Sequence, residues 1–400
     1  MRTKWLLTSA ATVLATVLPT AAPARAEAAS AGVPVSVRAV GYRLVDLGTL
    51  GGWSSTATAV NDRGEVVGAS QTATGDWHAF RWSAGVLTDL GVAGTAIAIN
   101  AAGQVLGTVG STEAFLWSNG VLTRLGTLGG GYTYVSGLND AGQVIGASGT
   151  TDGDEHAFVW SHGRMIDIGP PGYPASRTTA INNRGEVVGY AIDPKDSAPQ
   201  IAFRWRNGVL TTTSPPDCGQ LTPAVINDRG DEVGWGFHNG RPSWCLLTAA
   251  GTVVTVPSYG SGMVPASLNS RGLAAVTSGN GLVDLRAAVL SATGARRLDT
   301  PQGWSTIAVD INDPGQVTGY HLSGEIIGGD RTAMAWTSGR PTRLPIAGWT
   351  SSWPAQINNH GWIAGTVYRY GATHAVVWEP VFSTRVGLPP QPAPLGGRAA

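Results

Sequence analysis

The chain has 400 residues, with 26 Lys+Arg balanced by 26 Asp+Glu and only 13% charged residues, against 56 glycines. A neutral chain with no basic cluster offers no electrostatic footprint for nucleic acid or for an anionic membrane surface. Helix formers are scarce between Gly41 and Trp378, where Val, Thr, Trp and Gly dominate, and this is β composition.

At the N-terminus, Arg2 and Lys4 precede an apolar, Ala-rich run from Trp5 to Ala22, and Ala24-Arg25-Ala26 forms an A-x-A site. That pattern predicts a secretory signal over residues 1–26, cleaved after Ala26, followed by a linker over 27–40. No other run reaches the ~18 apolar residues that a membrane-spanning helix needs. The expectation is a released extracellular protein that carries no membrane span once the signal is cut.

From residue 41 the chain repeats. Val60–Gly68 reads VNDRGEVVG, and INAAGQVLG, LNDAGQVIG and INNRGEVVG follow at Ile99, Leu138 and Ile181. The Asn falls at 61, 100, 139, 182, 227, 269, 312 and 358, eight copies at a period in the range of four-stranded propeller blades. Asn at the first position of a type I turn bonds the backbone two residues on, and Gly three residues later takes the left-handed conformation that closes a bulged hairpin. Each N-x-x-G between β-rich runs is therefore a hairpin. A second hairpin follows each first one, as in His78–Trp82 (HAFRW), the turn Ser83-Ala84-Gly85 and Val86–Leu90 (VLTDL). Its Trp recurs at 82, 117, 160, 205, 336 and 378 and is expected to be inter-repeat core, since a Trp buries a large area. Copies five and six lack it.

Four strands per repeat predict an all-β chain, a β-propeller of about eight blades over residues 41–382, with seven as the main alternative count. Tyr42–Gly48 (YRLVDLG) matches the fourth strand of a repeat, whereas the last repeat stops after HAVVW at Trp378. The N-terminal strand is therefore expected to complete the last blade and close the ring. Residues 383–400 read as a Pro/Gly-rich disordered tail.

The recurring DLGTLGG (Asp46–Gly52), N-D-x-G-x-V-x-G and HAF-x-W elements resemble the HAF-type extracellular repeat proteins of bacteria. The resemblance spans Tyr42 to Trp378. Copies five and six diverge, and His78-Ala79-Phe80 and His156-Ala157-Phe158 are the full HAF copies. It implies an exported, propeller-like repeat protein and names a motif, not an activity.

Cys218 and Cys245 are the only cysteines, and in an exported chain an even pair predicts a disulfide. His78, His156 and His374 sit at the repeat position, which predicts structural hydrogen bonds. Asp152-Gly153-Asp154-Glu155 is acidic but lacks the spaced oxygens of a calcium loop, so no metal or other cofactor is expected. No nucleophile elbow stands out. The Asp residues at 46, 89, 167 and 299 belong to the repeated DLG or its remnant. Asp310 is the one acid on an expected inner strand, where a glycosidase would need a pair.

Candidate binding residues lie in the loops that join the repeats. There Trp53, Tyr132, Tyr173, Tyr259, Trp304 and Trp349 recur seven to ten residues before the repeat Asn, with Trp77 expected on the same face. A ring of aromatics around a polar mouth suits stacking of sugar rings or apolar groups. The same residues could instead wedge between blades. The sequence thus points to a non-catalytic, monomeric binding module for an extracellular glycan or cell-surface polymer. A structural or adhesive scaffold and a polysaccharide hydrolase or lyase stand as alternatives.

Overall fold

The computed structural model describes residues 37–192, 200–258, 267–279, 285–301, 304–323 and 330–384. The expected signal segment, most of the linker, nearly all of the tail and Tyr259 lie outside the described residues.

The first repeat shows how the sequence is read. Gly51–Val60 and Val66–Thr72 pair antiparallel across Asn61-Asp62-Arg63-Gly64, with Val60 opposite Val66. The Asn61 Oδ1 accepts the backbone N–H groups of Arg63 and Glu65, each at 3.0 Å, and Gly64 sits at φ +74° where a side chain would be strained. Trp77–Ser83 and Val86–Ala93 then add as third and fourth strands.

The same unit occurs eight times. Six four-stranded sheets are separate, and the third and fourth blades form one eight-stranded sheet through a single parallel contact of Glu155 with Ala175. The blades span 51–93, 95–124, 129–167, 175–213, 219–257, 267–297, 305–343 and 351–384. In the eighth, Ser351–Ile357, Ile363–Arg369 and Ala372–Thr384 are joined at the outer edge by the N-terminal strand, Val37–Asp46. Residues 39–383 make one compact unit; Val37, Arg38 and Thr384 are the described residues outside it. No helix among the described residues is long and apolar enough to cross a membrane.

A β-bulge marks the inner strand of every blade except the sixth, whose inner strand is described only at Ser267–Leu268. In blade 1 Ala57 faces Gly68 and Ala59 faces Val67, so Thr58 has no partner opposite. Its hydroxyl instead reaches the carbonyl of Ala96 in blade 2 at 2.8 Å. The bulge also explains the last glycine of the motif. A Cβ on Gly68 would stand 1.9 Å from the Thr56 carbonyl oxygen, and one on Gly146 equally close to that of Tyr134.

The core lies between blades rather than within them. One cluster joins Val66, Phe80 and Trp82 of blade 1 to Ala364, Ala375 and Val377 of blade 8, and another joins Val67, Ala79 and Leu90 of blade 1 to Ala96, Val105 and Phe115 of blade 2. Trp82, Trp160, Trp336 and Trp378 are buried and Trp117 and Trp205 partly so, as a core role requires. The indole N–H of Trp378 is satisfied by the Pro345 carbonyl at 2.8 Å. Each blade alone would expose both faces, so stability comes from stacking neighbours.

The HAF and DLG motifs meet. His78 Nδ1 lies 2.8 Å from Asp89 Oδ2, His156 Nδ1 2.7 Å from Asp167 Oδ2, and His374 Nδ1 2.8 Å from Asp46 Oδ2. The other carboxylate oxygen of Asp89 and of Asp167 accepts the N–H of the DLG glycine. These histidines are structural, and the last pair ties blade 8 to the N-terminal strand. Cys218 and Cys245 are paired within blade 5, their Cα atoms 6.4 Å apart.

Candidate functional site

The eight turns converge on the axis. Each repeat Asn donates its side-chain amide to the backbone carbonyl of the equivalent Asn in the next blade, from Asn61 to Asn100 at 3.1 Å and on through every blade. Asn358 returns the donation to Asn61 at 2.9 Å, so the collar is circular. The same amide groups also donate, in six of the blades, to the side chain four residues on: Glu65, Gln104, Gln143, Glu186, Asp231 or Gln316. This explains why Glu and Gln alternate at that position: both present the acceptor oxygen the Asn needs. In blade 1 burial raises the Glu65 pKa, but hydrogen bonds from Asn61, Arg81 and Arg63 outweigh it and leave the carboxyl below its ordinary value.

Outside the collar a second ring forms at the following position. The N–H groups of Ala101, Asp140, Asn183, Ser270, Asp313 and Asn359 each donate to the Oδ1 of the neighbouring blade's residue, at 2.7–2.9 Å. Together the two rings border an axial cavity of about 450 Å³. Five carboxylates and no Lys or Arg line it: Asp310 from below, and Asp62, Asp140, Asp228 and Asp313 on the rings. Their oxygens are largely occupied by the rings, and among the described residues no three His, Cys, Asp or Glu side chains are placed to hold a metal ion. The turns are thus a fastening, and their chemistry is spent on the scaffold.

Below the collar, Asp310 is the single acid on the described inner strands. It accepts hydrogen bonds from the Ser267 hydroxyl and from the backbone N–H groups of Ile311 and Ile357, both at 2.9 Å, and so spans blades 6, 7 and 8. Burial pushes its carboxyl up to about 6 despite those three donors. No second carboxylate accompanies it on these described strands; the other acids of the axial cavity, Asp62, Asp140, Asp228 and Asp313, stand on the turns.

The opposite face carries the aromatic candidates, and they divide. Trp53 is 83% exposed and Trp77 is also exposed. Tyr132 is half-buried, its hydroxyl 3.2 Å from Glu155 and its ring 5.1 Å from that of Tyr134. Tyr173 lines a cavity of about 380 Å³ with Pro170, Pro171 and Leu221. Trp304 packs on the core shared by blades 6 and 7, its ring 3.8 Å from His321 and Arg343 above it. Trp349 packs on the core of blades 7 and 8, 4.8 Å from His374. Two further exposed residues, Tyr368 and Tyr370, sit on the hairpin that joins the second and third strands of blade 8. Thr373 on that hairpin donates to the Ser54 hydroxyl beside Trp53 at 3.3 Å. The topology therefore brings Trp53, Trp77, Tyr368 and Tyr370 to one end of two adjacent blades. Tyr370, carried at φ +51° on an exposed turn and 84% exposed, is the member that the loop pattern missed.

Eight four-stranded antiparallel sheets stacked through inter-blade cores and fastened at the axis decide the architecture. The fold is a β-propeller. Solved structures agree on this alone. The chain is similar to a prolyl endopeptidase (10% identity, TM-score 0.53, 80% of this chain and 55% of that one). It is also similar to a puromycin-hydrolyzing peptidase of Mycobacterium tuberculosis (13%, TM-score 0.48, 82% and 57%). A third similarity is to the β-propeller domain of the Trilobed protease from Pyrococcus furiosus (9%, TM-score 0.47, 73% and 98%). The chain spans little more than half the length of the two peptidases. No known family model matches it, and no curated protein does.

Proposed function

We propose that this propeller is a secreted, non-catalytic binding protein of the HAF-repeat kind, which engages an extracellular carbohydrate or surface polymer through its loop face. The observation that carries this reading is the exposure of Trp53, with the exposed Trp77, Tyr368 and Tyr370 at the same end of blades 1 and 8. A large apolar ring left in water gains free energy when a partner covers it, at roughly 25 cal/mol per Å². Sugar rings present C–H faces that stack on such a surface. The paired cysteines fit an oxidising compartment, which supports export. The test is binding to a glycan array and to insoluble polysaccharides by the purified wild-type protein and by Trp53→Ala and Tyr370→Ala variants. Loss of binding in folded variants supports the reading. Absence of any binding by the wild type favours the scaffold alternative.

A further inference from the structure

Blade 5 breaks the repeat at one pair of positions. In six blades the residue five after the repeat Asn pairs across the strands with the core Trp, as Val66 does with Trp82 and Val187 with Trp205. Blade 6 keeps the pair apolar with Ala274 and Leu290. Blade 5 instead pairs Glu232 with Leu247, so a carboxylate occupies a core register and the indole that would cover it is missing. The result is a cleft of about 410 Å³ between blades 4 and 5, which Arg204, Thr211, Thr213, Pro216, Glu232 and Thr248 help to line. That volume lies within the range of small-molecule pockets.

The polar contents of the cleft are incomplete. The Glu232 side chain is 1% exposed, and its Oε2 accepts Arg204 Nη2 at 3.0 Å. Its Oε1 has no hydrogen-bond partner among the described residues. The same Arg204 nitrogen donates to the Gly230 carbonyl at 3.1 Å, so both of these bonds leave from one corner of the guanidinium. Burial pushes the Glu232 carboxyl up and Arg204 pulls it back only in part, so the net direction is upward. A buried carboxylate oxygen without a donor is costly, and seven other blades show that the fold does not need one here.

We infer that this cleft binds a small neutral polyol of monosaccharide size, a ligand hydroxyl donating to Glu232 Oε1 and a ligand oxygen accepting from Arg204. The Arg204–Glu232 pair is already balanced in charge, so a cationic guest meets Arg204 and an anionic one meets Glu232. A hydroxyl group satisfies both partners, since it donates and accepts at once. The threonine hydroxyls offer further polar contacts, and Pro215 and Pro216 present an apolar wall to C–H groups. The site is separate from the aromatic loop face and does not depend on it.

The test is titration calorimetry of the full chain with a panel of monosaccharides, with methylammonium and acetate as charged controls. Glu232→Gln removes the charge while keeping the shape. The double variant Glu232→Val with Leu247→Trp restores the pattern of the other blades, fills the cleft and is expected to melt higher than wild type. The inference predicts that at least one monosaccharide binds the wild type and that Glu232→Gln weakens it at least about tenfold. Trp53→Ala should leave this binding unchanged, and the double variant should abolish it. The inference is overturned if no monosaccharide binds the wild type, if methylammonium or acetate binds in its place, or if the filled variant binds as well as wild type.

Discussion

Asn358 donates its side-chain amide to the backbone carbonyl of Asn61, 2.9 Å away in space and 297 residues away in sequence. The contact is the eighth of eight equivalent ones, and it links the last blade to the first. Its Oδ1 also accepts the N–H groups of His360 and Trp362, so one buried side chain holds both a turn and a blade junction. Asn358→Ala strands those groups, and each buried unsatisfied group costs about 1–3 kcal/mol. The variant should lose about 3 kcal/mol in urea unfolding. A loss within about 0.5 kcal/mol, as at an ordinary surface site, would show that the collar is decorative.

Gly146→Ala should be as damaging as a core defect although it adds one methyl group. The new Cβ would meet the Tyr134 carbonyl at 1.9 Å and the Phe158 ring at 2.8 Å. Overpacking of this kind costs about 1–3 kcal/mol. Gly153→Ala is the control: no atom lies within 4 Å, and only the φ of +90° resists. Thermal melts of the two variants should therefore separate.

Asp310 gives the fold a recognisable pH dependence. Its folded carboxyl holds its proton more tightly than the ordinary value of 3.8, at about 6. The stability it contributes is present in full below about pH 3.8 and is lost as pH rises through about 6. Glu65 and Glu186, both lowered, act in the opposite sense and lose their contribution as pH falls. Asp310→Asn should accordingly improve relative to wild type as pH rises from about 4 to about 6. Melting temperatures across that window read the gap between the two proteins. A gap that does not change with pH would contradict the assignment.

The Cys218–Cys245 bond closes 27 residues of blade 5, and a loop of that length corresponds to about 3.5 kcal/mol on chain-entropy grounds. Both cysteines are fully buried beside Ala202 and Leu221, so reduction requires opening of the blade. Melting with and without a reductant should show a drop of several degrees under reducing conditions. Equal melting temperatures would argue that the thiols need not be joined.

The repeat was the most legible part of the chain because hairpins obey local rules. Asn61 and Gly64 declare a turn whatever surrounds them, and Trp82 declares a core. The link between His78 and Asp89 is less visible, since neither residue type demands the other, although the constant separation of eleven in two copies hints at it. Gly68 could be seen but not explained until the bulge at Thr58 showed which carbonyl it faces. The aromatic loops were the least legible. Trp53, Trp304 and Trp349 occupy similar places in the sequence, but His321 and His374 give the latter two a partner and a buried side. Glu232 was readable as a departure from the repeat, and only the cross-strand register with Leu247 reveals that it lies in the core.

The scaffold uses its repeated residues on itself, and the proposed binding rests on the positions where the copies differ. The most direct test is retention on an insoluble polysaccharide panel of wild type and of a Trp53→Ala, Trp77→Ala, Tyr370→Ala variant, with matched circular dichroism spectra. The account predicts retention of the wild type on at least one polymer and its loss in the variant. Equal retention of the two proteins would contradict it.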